Sequence, residues 1–424
     1  MHRRFVAAVL ACSLTPALRA QEVPETGSAL PAGIVSEAEF IAPLGEGHVA
    51  VRALADDLAR AEGASARART LVNPRLDFWR EAPDDHPEVT NWTLAWTPPL
   101  DGRHGLGKKA TEAGLEAART RFEIDRAGLR TEFRRVFAEW SLAVERGRAL
   151  TEQQDLVAGL AERARERARV GEESGLSARR FALARSETAT ALGEAEAARA
   201  RAEAEALALR PDLAAGSRPV TPDLPEPPVA LDPGQSARLA ALEKDKVRTD
   251  YEARRVSRFV SFPTLQVGWQ TLEDAGVDAG GPILAATWAV PLFDRDQGAR
   301  VEADRVRDAA EARLTFARDR IAGEIEGRLA AYRTLYAAAG EAARVAGETS
   351  QVIEAATAAY QAGESSLTDL LDTLRSAFAA RLRAIDARAG ALAAHRDLEE
   401  ALGRPLAVGG SLTDGGHLTE GGHR

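Results

Sequence analysis

The chain has 424 residues, enough for two ordinary domains or for one elongated, duplicated one. Lys+Arg 55 against Asp+Glu 64 gives a net charge of −9 with the signs interspersed, which excludes the basic stripe that nucleic-acid binding needs. Aromatics are only 5% while Ala, Leu, Arg and Glu dominate, the composition of long helices and coiled coils.

Met1-His2-Arg3-Arg4 and the apolar run Phe5 to Leu14 have the basic head and short core of a secretory signal, with cleavage expected after Ala20. Cys12 is the single cysteine. It leaves with residues 1–20, or, since Val9-Leu10-Ala11-Cys12 loosely fits a lipobox, it carries a lipid. In either case there is no disulfide framework and no thiol chemistry. No other apolar run is long enough to cross a bilayer as a helix. Embedding in a membrane therefore has to be through β-strands.

Residues 21–35 are Pro/Gly-rich and are expected to be flexible. A first helix is predicted from Ser36 to about Ala68 and is broken at Asn73-Pro74. Leu76 to Arg80 and Val89 to Pro98 read as strands separated by a polar turn. In the second strand Trp92, Leu94 and Trp96 share one face, and Asn91, Thr93 and Ala95 the other. That alternation suits a strand between lipid and water, and equally the hairpin of a soluble sandwich.

Pro98-Pro99 ends the strand. A helix of roughly forty residues then follows to Arg146, with a coiled-coil seam through Leu115, Phe122, Leu129, Phe133, Val136 and Trp140. Gly147 is expected to be the tip of a helical hairpin and Gly171 a break in its returning arm, which ends near residue 210. Residues 211–234 are a Pro-rich connector.

The second half, residues 235–405, replays the first. Trp96-Thr97-Pro98-Pro99-Leu100-Asp101 returns as Trp288-Ala289-Val290-Pro291-Leu292-Phe293-Asp294, displaced by 192 residues. Pro99 and Pro291 mark two strand-to-helix junctions. Asn73 to Trp79 is echoed by Phe262 to Trp269, and Asp274 to Gly281 reads as a Gly/Asp turn before a strand from Ile283 to Val290. Tyr332 answers Trp140, Gly340 is the second expected tip, and Gly363 repeats the break of Gly171. The last helix has a heptad seam from Leu367 to Leu392 and stops at Gly403-Arg404-Pro405. The tail, 406–424, is Gly-rich and expected to be disordered. It holds the tandem hexapeptides Leu412 to His417 and Leu418 to His423.

Catalytic chemistry has no residues to carry it: no phosphate loop, metal-spaced Cys/His set or nucleophile motif is present, so no enzyme activity and no cofactor are expected. His48, His86, His104 and His395 are read as scattered and solvated. His417 and His423, with Asp414 and Glu420, are the weak metal candidates, since two His on a flexible segment make a poor chelate. Asp369 and Asp372 either line a channel or complement a helix N-terminus, and the second is favoured. Trp92, Trp96, Trp269 and Trp288 are read as a membrane-interface belt.

A helix, two strands and a long helical hairpin, performed twice in an exported chain, resemble the TolC-type outer-membrane efflux proteins. The residues that carry the likeness are the Trp-x-x-Pro-Leu strand ends and the two helix breaks, Val170-Gly171 with Leu176 and Ala362-Gly363 with Leu367 to Asp372. The run Leu367 to Gly403 also fits. The resemblance covers residues 36 to about 405. It implies a mainly α fold with a small β part, and a homotrimer giving four strands per chain to one twelve-stranded outer-membrane barrel. It also implies an α-helical tunnel through the periplasm, with a periplasmic adaptor and an inner-membrane pump as partners. Leu100 to Lys109 is most similar to the Gly- and Lys/Arg-rich turn of the heavy-metal-cation subgroup. A periplasmic adaptor is the alternative class, and a soluble coiled-coil scaffold a third. The first usually has one hairpin rather than two, and the second leaves the Trp-bearing strands unexplained.

Overall fold

In the computed structural model, residues 33–406 are described except for 46, 83–86, 172–173, 259–261 and 275–276. The expected signal segment, Cys12, His86, His417 and His423 lie outside them. The chain opens with β1 (Ile34–Val35) and three short helices, α1 (Glu37–Ile41), α2 (Val49–Ala53) and α3 (Asp56–Arg69). The single helix expected over 36–68 is therefore split. Ser36 caps the start of α1 and His48 the start of α2 with their side chains, while α3 starts after Ala55 with no side-chain cap.

Next come β2 (Arg75–Glu81), β3 (Glu88–Trp96), α4 (Arg103–Arg169) and α5 (Gly175–Leu209), then β4 (Arg218–Pro219) in the connector. The second half is α6 (Ala237–Ser257), β5 (Thr264–Asp274), β6 (Val277–Thr287), α7 (Gln297–Ala362) and α8 (Leu367–Leu402). The four longer strands form one antiparallel sheet in the order β2-β3-β5-β6, so the two halves meet along β3 and β5. Asp274 to Gly281 is not a loop: β5 and β6 pair through to Asp274 and Val277.

The hairpins depart most from expectation. α4 runs unbroken for 67 residues and α7 for 66, on the order of 100 Å each. Gly147 and Gly340 lie inside them and are not tips. The turns fall where breaks were expected, at Gly171 (φ +82°) and Gly363 (φ +77°). A glycine inside a helix costs only about 1 kcal/mol, which a seam this long absorbs, whereas a left-handed backbone removes the helix path altogether. Ser174 and Ser366 then cap the returning helices.

The core is a set of thin seams rather than a ball. Near the turns, Val157, Leu160, Phe181, Ile353, Leu370, Leu374 and Phe378 join all four hairpin helices. At mid-height two clusters occupy equivalent places in the halves, one around Phe133, Phe137 and Trp140, the other around Ile325, Leu329 and Tyr332.

Candidate functional site

Strand register sorts the sheet into two unlike faces. Phe78, Trp92, Trp269 and Pro282 are successive cross-strand partners, so they share a face with Leu76, Leu94, Trp96, Leu265, Val267 and Leu284. All of these large apolar side chains are exposed, Leu284 at 82% and Trp92 at 49%. Phe78 and Trp92 rings sit 4.3 Å apart. The opposite face carries Arg75, Asp77, Asn91, Thr93, Gln266 and Gln270. Gly268 lies on that polar face. A Cβ there would be 2.2 Å from the Trp92 carbonyl oxygen and 2.6 Å from Thr93 Cγ2. Gly268 is therefore a place where the β3 backbone approaches too closely for a side chain. One face of the sheet is apolar and the other mainly polar, the division that a strand between lipid and water has.

Among the expected belt residues, Trp92 and Trp269 form one cross-strand pair, and Trp96 lies four residues nearer the helices, opposite Leu265. Trp288 is one residue beyond β6 rather than within it. Trp269 covers Gly280 on the apolar face. The echo of Trp79 in Trp269 slips by one residue: Trp79 pairs with Asn91 on the polar face. From the Trp92 row to the Trp96 row is about 13 Å of strand, half of the ~25 Å apolar band of a membrane barrel. Exposed Leu71, Val72, Leu100, Val290, Leu292 and Phe293 in the junctions extend it toward the helices.

Pro99 and Pro291 both fall in those junctions, between strand and long helix. Each junction is an Asp-centred turn: Asp101 Oδ1 accepts from Arg103 N at 2.9 Å, and Asp294 Oδ1 from Asp296 N at 2.9 Å. The left-handed position is Gly102 (φ +74°) in the first and Asp296 (φ +58°) in the second. Arg103 reaches Asp296 at 3.7 Å and so ties one junction to the other. Of the glycines in the Leu100–Lys109 turn, Gly102 is closely approached, since a Cβ there would lie 3.1 Å from Arg258 Nη1, while one on Gly105 would meet nothing within 4 Å among the described residues. Further along α4, a Cβ on Gly114 would lie 3.1 Å from the Arg248 side chain of α6.

At the far ends the two hairpins are tied by polar pairs that the sequence did not disclose. Arg180 donates to Thr368 Oγ1 at 2.9 Å, and Arg375 pairs with Glu187 at 3.1 Å. Further up, Arg381 pairs with Glu152 at 3.1 Å and Arg146 with Asp386 at 2.6 Å. Asp369 closes a capping box with Ser366, as its helix-start reading expects.

Mid-height holds a buried polar hub, also missed. Arg134 pairs with Glu37 of the first helix at 3.1 Å and with Glu399 of the last at 2.6 Å. Glu399 Oε1 accepts from Leu406 N at 2.9 Å, so both ends of the described chain meet one guanidinium. His395 is buried at 2% exposure, not solvated, and its Nδ1 has no hydrogen-bond partner among the described residues. Burial, then the nearby Arg134, pushes its imidazole down to about 4. Burial pushes the Tyr332 phenol up to about 12, and its hydroxyl donates to the Pro225 carbonyl of the connector. Among the described residues no group of three His, Cys, Asp or Glu could hold a metal ion, and no helix is long and apolar enough to cross a membrane.

No family model matches the chain. In sequence it is 24% identical over 371 residues to the cobalt-zinc-cadmium resistance protein CzcC of Cupriavidus metallidurans, across 83% of this chain and 86% of that one. In structure it is similar to CusC, with a TM-score of 0.71 at 15% identity over 87% of this chain and 92% of that one. It is also similar to the CmeC outer membrane channel of Campylobacter jejuni, with a TM-score of 0.69 at 14% identity over 87% and 85%. The fold is that of the TolC-type outer-membrane channels.

Proposed function

We propose that this chain is the outer-membrane exit duct of a tripartite efflux system and that its cargo is heavy-metal cations. The observation that carries the duct is the four-stranded sheet, with exposed large apolar side chains on one face and a mainly polar other face. Its outer strands β2 and β6 pair on one side only. Open edges and an exposed apolar face are costly in water and vanish when copies of the sheet close into a barrel in lipid. Three chains giving four strands each make the twelve-stranded barrel that the resemblance implies. The long hairpins, on the order of 100 Å, then continue the duct through the periplasm. Trp92, Trp269, Trp96 and Trp288 serve as the belt. The turns at Gly171 and Gly363 face a periplasmic adaptor and, beyond it, an inner-membrane pump. The cargo assignment rests on the likeness to the cobalt-zinc-cadmium resistance protein.

No step in this function makes or breaks a bond. The duct supplies a hydrated path, and the pairs Arg180–Thr368 and Arg375–Glu187 hold the hairpins together until the adaptor engages them. Trp92→Asp with Trp288→Asp should remove the protein from the outer-membrane fraction, whereas recovery as a soluble periplasmic monomer of the unaltered chain would sink the duct. Deleting the gene should sensitise cells to zinc, cadmium or cobalt. Unchanged metal tolerance with raised sensitivity to organic drugs would overturn the cargo and leave the duct standing. A soluble scaffold has no use for the exposed apolar face.

A further inference from the structure

Gly147 and Gly340 stand well inside helices of 67 and 66 residues, at nearly the same place in each half. A mid-helix glycine costs about 1 kcal/mol against alanine, so two at matching places call for a local reason. Close helix packing is not that reason, because a Cβ built on either meets nothing within 4 Å. What the two positions share is a cavity. Gly147 lines one between α4 and α5 that is bordered by residues 216–219 of the connector, and Gly340 lines one between α4, α7 and α8 bordered by Leu224 of the same connector.

The linings differ. Around Gly147 they are densely charged, with Glu196, Arg199, Glu203 and Arg218. The Gly340 cavity, about 610 Å³, has a predominantly apolar lining that includes Ala339, Ala343, Ala384 and Ile385. This is the size and character of a site for a drug-sized molecule, at a junction between helices where such sites occur. Most of its charged rim is already engaged. Glu152 pairs with Arg381, Glu145 accepts from Thr221 Oγ1 at 3.0 Å, and Arg388 donates to the Pro222 carbonyl at 2.7 Å. Arg148 has neither a hydrogen-bond nor an ion-pair partner among the described residues, and it lines both cavities.

We propose that the cavity lined by Gly340 is a binding site for an organic anion with an apolar body, its acid group held by Arg148. The apolar part lies along α7 where Gly340 leaves the wall bare, and Leu224 of the connector closes one end. Arg148 supplies a cationic group with no hydrogen-bond or ion-pair partner among the described residues, and the Tyr336 hydroxyl a second polar handle. The first cavity, where Glu152, Glu196 and Glu203 face Arg199 and Arg218, does not take such a ligand. This site goes beyond efflux: it needs neither the cargo nor the pump.

Titration of the full-length protein in lipid nanodiscs with 1-anilinonaphthalene-8-sulfonate, a rigid apolar body with one sulfonate, tests it. One saturable site per chain is expected above the signal of empty nanodiscs. Gly340→Phe should fill the cavity and weaken that site by more than about tenfold. Arg148→Ala should weaken it about five- to tenfold and flatten its salt dependence. Gly147→Phe, in the other cavity, should leave it unchanged. Binding no greater than in empty nanodiscs, or equal in Gly340→Phe and the unaltered chain, overturns the proposal. So does equal loss in Gly147→Phe. If Gly340→Phe fails to assemble, exposed Arg148→Ala decides, and unchanged affinity there overturns it.

Discussion

Trp140 and Tyr332 occupy the same place in the two halves, 192 residues apart, and both are fully buried. Tyr332 donates its hydroxyl to Pro225, while Trp140 Nε1 has no partner among the described residues. Their neighbourhoods explain the difference. Trp140 packs under the first helix, where Phe40 meets Phe133 and Phe137 and Arg210 donates to the Phe40 carbonyl at 2.5 Å. Tyr332 packs under the connector, with His395 at its ring edge. Duplication copied the seam, and what lies over each copy then set its side chains apart.

The sheet gives the sharpest way to break the equivalence. Gly268 in β5 and Trp79 in β2 lie on the polar face in neighbouring rows, opposite Thr93 and Asn91 of β3, yet one position accepts no side chain and the other carries an indole at 50% exposure. Gly268→Val drives a Cβ into the Trp92 carbonyl, and only a shift of the β3–β5 ladder relieves it. Loss of heat-resistant, membrane-inserted protein is expected, with little change on Trp79→Val. Normal insertion of Gly268→Val would show that this close approach of β3 and β5 is dispensable.

A smaller effect separates the halves by pH. Glu203 is the first-half counterpart of His395, and it is spent on the backbone of Gly216 at 3.1 Å. His395 faces Tyr332, Glu399, Arg134, Glu37 and Arg396. Its folded-state value of about 4 lies below the ordinary 6.5, so the unfolded chain binds this proton first as pH falls. Stability from the neutral imidazole is full above about pH 6.5 and is lost progressively down to about pH 4, a swing on the order of 3 kcal/mol. His395→Phe should remove that swing from melting curves between pH 7 and 4. An unchanged pH profile would mean that the carboxylates of the hub dominate.

Much of this was legible in order but not in extent. Proline after Trp96 and Trp288 announces both junctions, since proline cannot continue a ladder. Gly171 and Gly363 announce both turns. Gly147 and Gly340 misled because a sequence shows the residue and not its φ, and only positive φ made the other pair into turns. The apolar face was half visible in the alternation of Trp92, Leu94 and Trp96. Its pairing with Leu265, Val267 and Trp269 is a register across halves, which no local period encodes. The hub around Arg134 joins residues more than two hundred positions apart and left no local signature.

Tyr332→Phe tests the satisfied member of the opening pair. It removes one hydroxyl and strands the Pro225 carbonyl, at a cost of about 1–2 kcal/mol. Trp140→Phe should also destabilise, but through lost volume alone, since its N–H has nothing to lose. Solvent-exchange protection of the connector should fall in the first variant and not in the second. Equal loosening of the connector in both would mean that Tyr332 holds it by packing and not by its hydroxyl.

The smallest effect concerns the two junctions, and here the halves should respond with unlike size to changes at one backbone position. Gly102 and Asp296 both hold the left-handed conformation ahead of a long helix. Gly102→Ala adds a Cβ to a φ of +74°, costing about 1–2 kcal/mol per residue, with Arg258 Nη1 only 3.1 Å from the new atom. Asp296→Gly relieves what strain an aspartate carries there, but it frees the unfolded chain and gives up the half-exposed contact to Arg103, so it should lie within about 0.5 kcal/mol of neutral. Thermal unfolding of both variants reads the difference. If Asp296→Gly proves the more damaging, the tie from Arg103 outweighs backbone strain, and the junctions act as one linked collar at the base of the sheet and not as two independent turns.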